Sequence, residues 1–276
     1  MWTSEPAALA VPQALPPRRT AAGDAAQHLA LVWQLALAHV KAKDQSTVIG
    51  FGWSFLNPLL MLALLYVFFN NRIGQDIPYY PIFLLIGLVH FTHFSNATTA
   101  ACMCLATMRH LTCDTIFPKA LLVTASVVAS GVEFVVSMVI CLLIAAIAGA
   151  PLTPAIAFLP VVLLLQIWTV LWISLLLACL YVYVQDIGHI YQVFLRALFF
   201  ITPTFYSPEF LGNGPASYVL LANPLAHFIQ FSRALILGGE PISAMPFIAI
   251  AALNVLATIG SLAIFRACES SFAERL

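Results

Sequence analysis

Charged residues are too few in this chain for it to fold as a water-soluble domain. Only 8% of its 276 residues are charged, 62% are apolar, and its mean hydropathy is +0.98. Soluble domains carry about 25% charged residues, so eleven cations and eleven anions could not cover the surface of a globule of this size. The balanced charge also lacks the basic excess of a nucleic-acid-binding protein. The composition therefore predicts a multi-pass membrane protein.

Long apolar segments define the predicted membrane spans. About 20 apolar residues are needed to cross a hydrocarbon core of about 30 Å, and six segments meet this length: 51–70, 79–101, 120–148, 155–183, 187–206 and 246–266. Residues 1–27 contain four prolines and no continuous apolar core, which predicts a flexible cytoplasmic leader rather than a signal peptide. The predicted fold is an all-α membrane protein with a six-span domain over residues 28–276.

The distribution of lysine and arginine predicts the orientation of these spans. With a cytoplasmic N-terminus, eight cations lie on the inner side: Arg18, Arg19, Lys41, Lys43, Arg109, Lys119, Arg266 and Arg275. Only Arg72 and Arg233 then lie on the outer side. Because cytoplasmic loops are enriched in cations, both termini are predicted to be cytoplasmic.

Two further apolar segments are predicted not to span. Residues 28–46 carry apolar side chains at helical spacing, which predicts an amphipathic helix in the inner interface. In the connection 207–245, Asn223 and Pro224 form a helix-start signal and Gly238 a stop signal. The helix between them would be about 21 Å long, too short to cross the bilayer. We interpret this segment as a re-entrant gate, with a plain interfacial loop helix as the alternative.

Glu133 is an acidic residue near the middle of the third predicted span. A carboxylate without partners at that depth costs about 2.5–3.5 kcal/mol on insertion scales, so this side chain is expected to face protein. It could serve the transport pathway, or it could join helices as a neutral hydrogen-bonded carboxyl.

The fifth predicted span combines polar and aromatic residues on one helical face. That face carries, from its inner end, His189, Gln192, Arg196, Phe199, Phe200 and Pro203. This pattern favours a pathway for a cargo that is both hydrophilic and bulky, and arginine is a natural partner for a diphosphate. Alternatively, Arg196 could extend to the inner interface or pair with Asp186 or Glu133, while the phenylalanines contact lipid.

Templates for metal binding and catalysis are not matched. His90, His93 and the nearby cysteines follow none of the tight zinc spacings. The chain has no Gly-Lys dipeptide, so it lacks a phosphate-binding nucleotide loop. We expect no metal site and no enzyme activity, and any energy source for transport is expected on another chain.

Six short motifs, in order along the chain, resemble type-2 ABC exporter permeases for polysaccharides and polyol phosphates. They are IGFGWSFLNPLL (49–60), FPK (117–119), VQDI (184–187), TPTFYS (202–207), NPL with a following arginine (223–225 and Arg233), and FAERL (272–276). The resemblance covers residues 28–276. Gln185 stands where the family usually has arginine, and His90 and His93 stand where it tends toward aromatic residues.

The resemblance implies a homodimer with two ATPase subunits that exports a lipid-linked glycan, such as O-antigen or capsule, across the bacterial inner membrane. ATP and magnesium would be bound by the ATPase, and this chain would need no cofactor. The implied ATPase-coupling residues are Arg109, Asp114, Phe117, Pro118 and Lys119. The implied gate residues are Asn223, Pro224 and Arg233. The implied channel aromatics are Trp53, Tyr66, Phe199, Phe200, Phe205 and Tyr206. Arg196 is added to this predicted pathway from the polar face of the fifth span.

Alternative functions remain open on the sequence alone. An exporter of a smaller drug or lipid would also suit aromatic side chains. An ion-coupled secondary transporter would need acidic residues in its spans, where only Glu133 qualifies. A membrane-embedded enzyme would need paired carboxylates or a metal cluster.

Overall fold

The computed structural model describes residues 29–38, 52–109, 112, 118–208, 214, 220, 222–238 and 244–272. Within these ranges the secondary structure is entirely helical. Eight α-helices are present there: α1 (Leu29–Ala38), α2 (Trp53–Phe69), α3 (Tyr80–Thr107), α4 (Ala120–Ile147), α5 (Leu159–Tyr183), α6 (Ile187–Ile201), α7 (Pro224–Leu237) and α8 (Ala244–Glu269). The predicted leader 1–27 lies outside the described residues.

Among the described residues, four helices are long and apolar enough to cross a membrane: α3, α4, α8, and α5 together with the 3₁₀ turn Pro154–Phe158 that precedes it. They coincide with the second, third, sixth and fourth predicted spans. The prediction of an all-helical, multi-pass membrane protein is confirmed.

The helices at the first and fifth predicted spans are shorter than expected. α2 has 17 residues and α6 has 15, or about 26 and 23 Å at 1.5 Å per residue. α6 was expected to continue to residue 206, but it ends at Ile201 because Thr202 precedes a proline and adopts extended backbone. Four spans are therefore seen by length, and the count of six stays a prediction.

α3 lies at the centre of the bundle. It is the most buried of the four long helices, and it contacts α2, α4, α5, α6 and α7. Its N-terminal half packs with α4 and α5 through Ile86, Met138 and Leu163, and its C-terminal half packs with them through Leu105, Val123 and Leu175. The other helices are thus positioned by one central element.

α8 is the least buried of the long helices, and a polar network attaches it to α5. The Asn254 amide oxygen accepts hydrogen bonds from Thr169 Oγ1 at 3.0 Å and from Trp172 Nε1 at 2.9 Å. Its amide nitrogen donates to the Leu165 carbonyl at 3.3 Å. Because hydrocarbon offers no competing partners, these bonds fix the position of α8 on α5.

The two predicted non-spanning helices are present. α7 has the predicted bounds: the Asn223 side chain accepts from Leu225 N at 3.0 Å, Pro224 is the first helical residue, and Gly238 follows the helix with a φ of +69°. α1 covers residues 29–38 of the predicted interface helix, and the remainder to residue 46 lies outside the described residues. It packs Val32 and Ala36 inward while Leu29 and Trp33 are exposed.

Candidate functional site

An open groove of about 870 Å³ lies between α2, α3 and α6. Its lining combines seven hydrogen-bonding side chains with apolar and aromatic ones: Asn57, Met61, Leu88, Phe91, Thr92, Ser95, Asn96, Thr99, Ala100, Gln192, Leu195, Arg196, Phe199 and Phe200. Polar side chains exposed at membrane depth are unfavourable against lipid. The groove therefore faces water, cargo or another protein rather than acyl chains.

The α3 wall of the groove is a row of small polar side chains. It consists of Thr92, Ser95, Asn96 and Thr99, whose i, i+3, i+4, i+7 spacing places them on one helical face. The opposite face, with Phe94, Ala97 and Thr98, is buried in the core. This row was not predicted from the sequence, although its polar residues at i, i+3, i+4 and i+7 within an apolar span are a recognisable signal.

The α6 wall carries the polar and aromatic face predicted from the sequence. Gln192, Arg196, Phe199 and Phe200 all line the groove. α6 is oriented this way because Tyr191 is buried against α3, where its hydroxyl donates to Thr98 Oγ1 at 2.7 Å. Arg196 is exposed within the groove, whereas His189 is exposed outside it.

The phenylalanines collect at the C-terminal end of α6. The Phe199 ring makes two edge-to-face contacts: one with Phe91, at a centroid distance of 5.0 Å, and one with Phe200, at 5.5 Å. Phe200 remains 66% exposed. The groove thus changes along α6 from amide and guanidinium groups to aromatic surface.

The other predicted channel aromatics do not line this groove. Phe205 packs on Phe69 with ring centroids 5.0 Å apart. Tyr206 is buried, and its hydroxyl donates to the Ile201 carbonyl at 2.7 Å. Trp53 and Tyr66 are exposed on α2 outside the groove lining. Three of the seven predicted pathway residues therefore line the groove, and four do not. Of those four, Phe205 adjoins the lining, since its ring centroid lies 6.0 Å from that of Phe199 and 6.4 Å from that of Phe200.

Arg233, predicted on the outer side of the membrane, is buried within the protein and joins three elements. Its Nε and Nη2 donate to the Phe83 carbonyl at 3.1 and 3.0 Å. Nη1 donates to the Pro203 carbonyl at 2.7 Å, and Nη2 to the Thr204 carbonyl at 2.6 Å. The guanidinium carbon also lies 3.3 Å from the centroid of the Phe83 ring. Burial lowers the pKa of this guanidinium well below its ordinary value.

Close packing around Arg233 requires a glycine on α3. A Cβ atom at Gly87 would lie 2.5 Å from the Thr204 carbonyl oxygen and 2.8 Å from Arg233 Nη2. Asn223 adds a second connection, since its amide donates to Thr202 Oγ1 at 2.9 Å. These contacts attach α7 to the chain that leaves α6 and to α3. We call this set of contacts the α7 clamp. Its residues are Gly87, Thr202, Thr204, Asn223 and Arg233.

Glu133 is half-buried on α4, halfway along that helix. It faces α3 and lines a cavity of about 20 Å³ together with His93 and Asn96. The expectation that it faces protein rather than lipid agrees with this position. No group of three His, Cys, Asp or Glu side chains that could hold a metal ion occurs within the described residues.

The predicted coupling residues lie where α3 ends and α4 begins. Arg109 and Pro118 are exposed. The Lys119 backbone N–H donates to Glu269 Oε1 at 2.6 Å, which joins the start of α4 to the end of α8. Asp114 and Phe117 lie outside the described residues.

Comparison with known proteins places this architecture in a family. Residues 30–237 match the ABC-2 type transporter family, and the chain belongs to it. It is thus a non-catalytic membrane permease domain. The resemblance noted from the six motifs is confirmed at the level of the family.

The chain is similar to curated permeases over most of its length. It is 29% identical over 251 residues to an O-antigen export system permease protein RfbA of Myxococcus xanthus, covering 91% of this chain and 96% of the relative. It is 25% identical, over 244 and 241 residues, to two proteins of the same name from Klebsiella pneumoniae, each comparison covering 86% of this chain and 91% of the relative.

Proposed function

We propose that this protein is the transmembrane permease subunit of an ATP-driven exporter that moves a lipid-linked polysaccharide, an O-antigen-like or capsule-like glycan, across the bacterial inner membrane. The observation that carries the proposal is the groove between α2, α3 and α6. The names of the curated relatives point the same way.

The chemistry of the groove suits a glycan. The row on α3 offers hydroxyl and amide groups to sugar hydroxyls along the helix. Arg196 can pair with an acidic or phosphate group of the cargo. Phe199 and Phe200 offer aromatic faces against which sugar rings can stack. A purely apolar cargo would leave seven hydrogen-bonding side chains without partners, and this mismatch favours the glycan over a small apolar drug or lipid.

The working assembly in this proposal is a homodimer with two ATPase subunits. In one protomer the groove is open along α2 and α6, so a second copy facing it would complete a closed path. The predicted coupling residues, at the ends of α3 and α4, would transmit ATP-driven movement of the ATPase. We place both termini in the cytoplasm, with Arg109 and Lys119 on that side.

The ATPase partner is tested by purification from native membranes. Tagged protein is solubilised in detergent, and the co-purifying subunits are identified and assayed for ATP hydrolysis. The proposal predicts an ATPase subunit at a ratio of about one to one. A pure preparation without a nucleotide-binding partner would contradict it and would favour ion-coupled transport.

The cargo is tested by deletion of the gene in the source organism. We expect the surface glycan to be lost and its lipid-linked form to accumulate at the inner face of the membrane, with both effects reversed by the intact gene. Unchanged surface glycan with altered drug sensitivity would support the alternative, an exporter of smaller molecules.

A further inference from the structure

A small polar cavity lies behind the α3 wall of the groove. It has a volume of about 20 Å³ and is lined by α2, α3 and α4. Its lining is mostly polar: Pro58, Val89, Thr92, His93, Asn96, Ser130, Glu133, Phe134 and Ser137. Thr92 and Asn96 also line the groove, so one layer of side chains separates the two spaces.

His93 brings an unmet hydrogen-bonding requirement to this cavity. The residue is 6% exposed and its ring lies beside the Ser130 backbone, but within the described part of the chain neither ring nitrogen makes a hydrogen bond of good geometry. A neutral imidazole carries one donor and one acceptor, and burying them without partners is costly. The nearby His90 has one nitrogen in this condition: its Nδ1 is paired with the Gln166 side chain, while its Nε2 has no partner within the described residues and does not reach this cavity.

The position of His93 increases the free-energy cost of leaving its ring nitrogens without good hydrogen bonds. His93 and Glu133 each lie halfway along a 28-residue helix, at a depth where lipid supplies no hydrogen bonds. The His93 ring is fixed in place by stacking on Phe134, with centroids 4.2 Å and planes 7° apart. Reorientation of the ring toward another partner would break this stack.

The geometry points to a binding site for one water molecule, held between His93 on α3 and the polar side chains of α4. A cavity needs about 10–15 Å³ and two to four polar partners to hold a water, and this one offers about 20 Å³ with Ser130, Glu133 and Ser137 opposite His93. The water satisfies the imidazole and connects α3 to α4 at mid-membrane. This inference concerns the permease itself and does not depend on the identity of its cargo.

The test is hydroxyl-radical footprinting by X-ray radiolysis of the full-length protein in lipid nanodiscs, with a radical scavenger in the bulk solvent. Radicals formed from a bound water modify the side chains beside it. Phe134 lines the cavity, whereas Phe228 and Phe265 are equally buried, at 2%, 1% and 0% exposure, and do not line it. We expect Phe134 to be modified several-fold faster than both. Equal rates in the wild-type protein would overturn the inference without any variant.

Replacement of the histidine provides the second measurement. His93→Phe keeps an aromatic ring on Phe134 but removes both nitrogens, so the water loses a partner and modification of Phe134 is expected to fall to the rate of Phe265. His227→Phe, on α7 outside the cavity, is the matched control and leaves the Phe134 rate unchanged. A rate that stays high in His93→Phe would show that the imidazole does not hold the water.

Discussion

Burial distinguishes Asn96 from Asn254, the asparagines of the long helices α3 and α8. Asn254 is fully buried, and its amide oxygen and nitrogen are both engaged with α5. Asn96 is exposed in the groove, where its amide is available to cargo. The same side chain therefore stabilises the fold in one place and, in the proposed function, lines the export pathway in the other.

Replacing each asparagine by leucine is expected to separate stability from transport. Asn254→Leu leaves the Thr169 hydroxyl and the Trp172 indole without their acceptor, and should lower the free energy of unfolding by about 1–2 kcal/mol. Asn96→Leu should leave the melting temperature unchanged but reduce export. Thermal melts in detergent and surface-glycan assays measure the two effects. Equal loss of stability in both variants would contradict the assignment of Asn96 to the pathway.

Gly87→Ala is expected to destabilise the α7 clamp. The added methyl would lie 2.5 Å from the Thr204 carbonyl oxygen, and the required displacement should cost about 1–3 kcal/mol. Gly260→Ala is the matched control, since a Cβ there meets nothing within 4 Å and alanine favours helix. The melting temperature should fall in the first variant and stay equal or rise in the second. A Gly87→Ala protein as stable as wild type would show that the α7 clamp accommodates the added methyl group without loss of stability.

At the scale of helices, features set by residues close together in sequence could be predicted, and features set by tertiary contacts could not. The bounds of α7 were predicted because Asn223 and Pro224 at its start, and Gly238 at its end, each act on the adjacent helical turn. The groove face of α6 was predicted because 3.6-residue periodicity is local. The burial of Arg233 was not, since its acceptors at Phe83, Pro203 and Thr204 are brought together only by tertiary packing. The polar cavity beside His93 was not predicted either, because α2 and α4 supply much of its lining.

The aromatic end of α6 is tested by a double substitution. Phe199→Ala with Phe200→Ala removes the aromatic surface of the groove, and we expect export to fall at least severalfold while ATPase binding is retained. Phe194→Ala is the control, because Phe194 is exposed on the same helix but does not line the groove. Wild-type export by the double variant would mean that these rings serve packing alone.

The ends of α3 and α4 are tested by reversing a charge. Arg109→Glu should weaken coupling, so that ATP hydrolysis by the assembled complex continues with little export. Arg72→Glu is the control, since Arg72 is also exposed but follows α2 at the predicted outer side. Reconstituted complexes allow hydrolysis and transport to be measured together. Unchanged export in Arg109→Glu would remove this residue from the coupling surface.

At the scale of the whole molecule, α3 joins the parts of the proposed mechanism. One face lines the groove, another packs with α4 and α5, its N-terminal half is held to α7 by the clamp, and its C-terminal end leads to the predicted coupling residue Arg109. A displacement at the ATPase would thus reach the groove wall through one continuous helix, in keeping with movement of packed elements as units.

The most direct test of the groove as the export path is to capture the cargo inside it. A photoreactive phenylalanine analogue is placed at Phe200, or at Phe194 as the control, in complexes whose ATPase is arrested during export, and crosslinked products are probed for glycan. The account predicts that glycan is captured at Phe200 and not at Phe194. Capture at neither position, or equally at both, would contradict it.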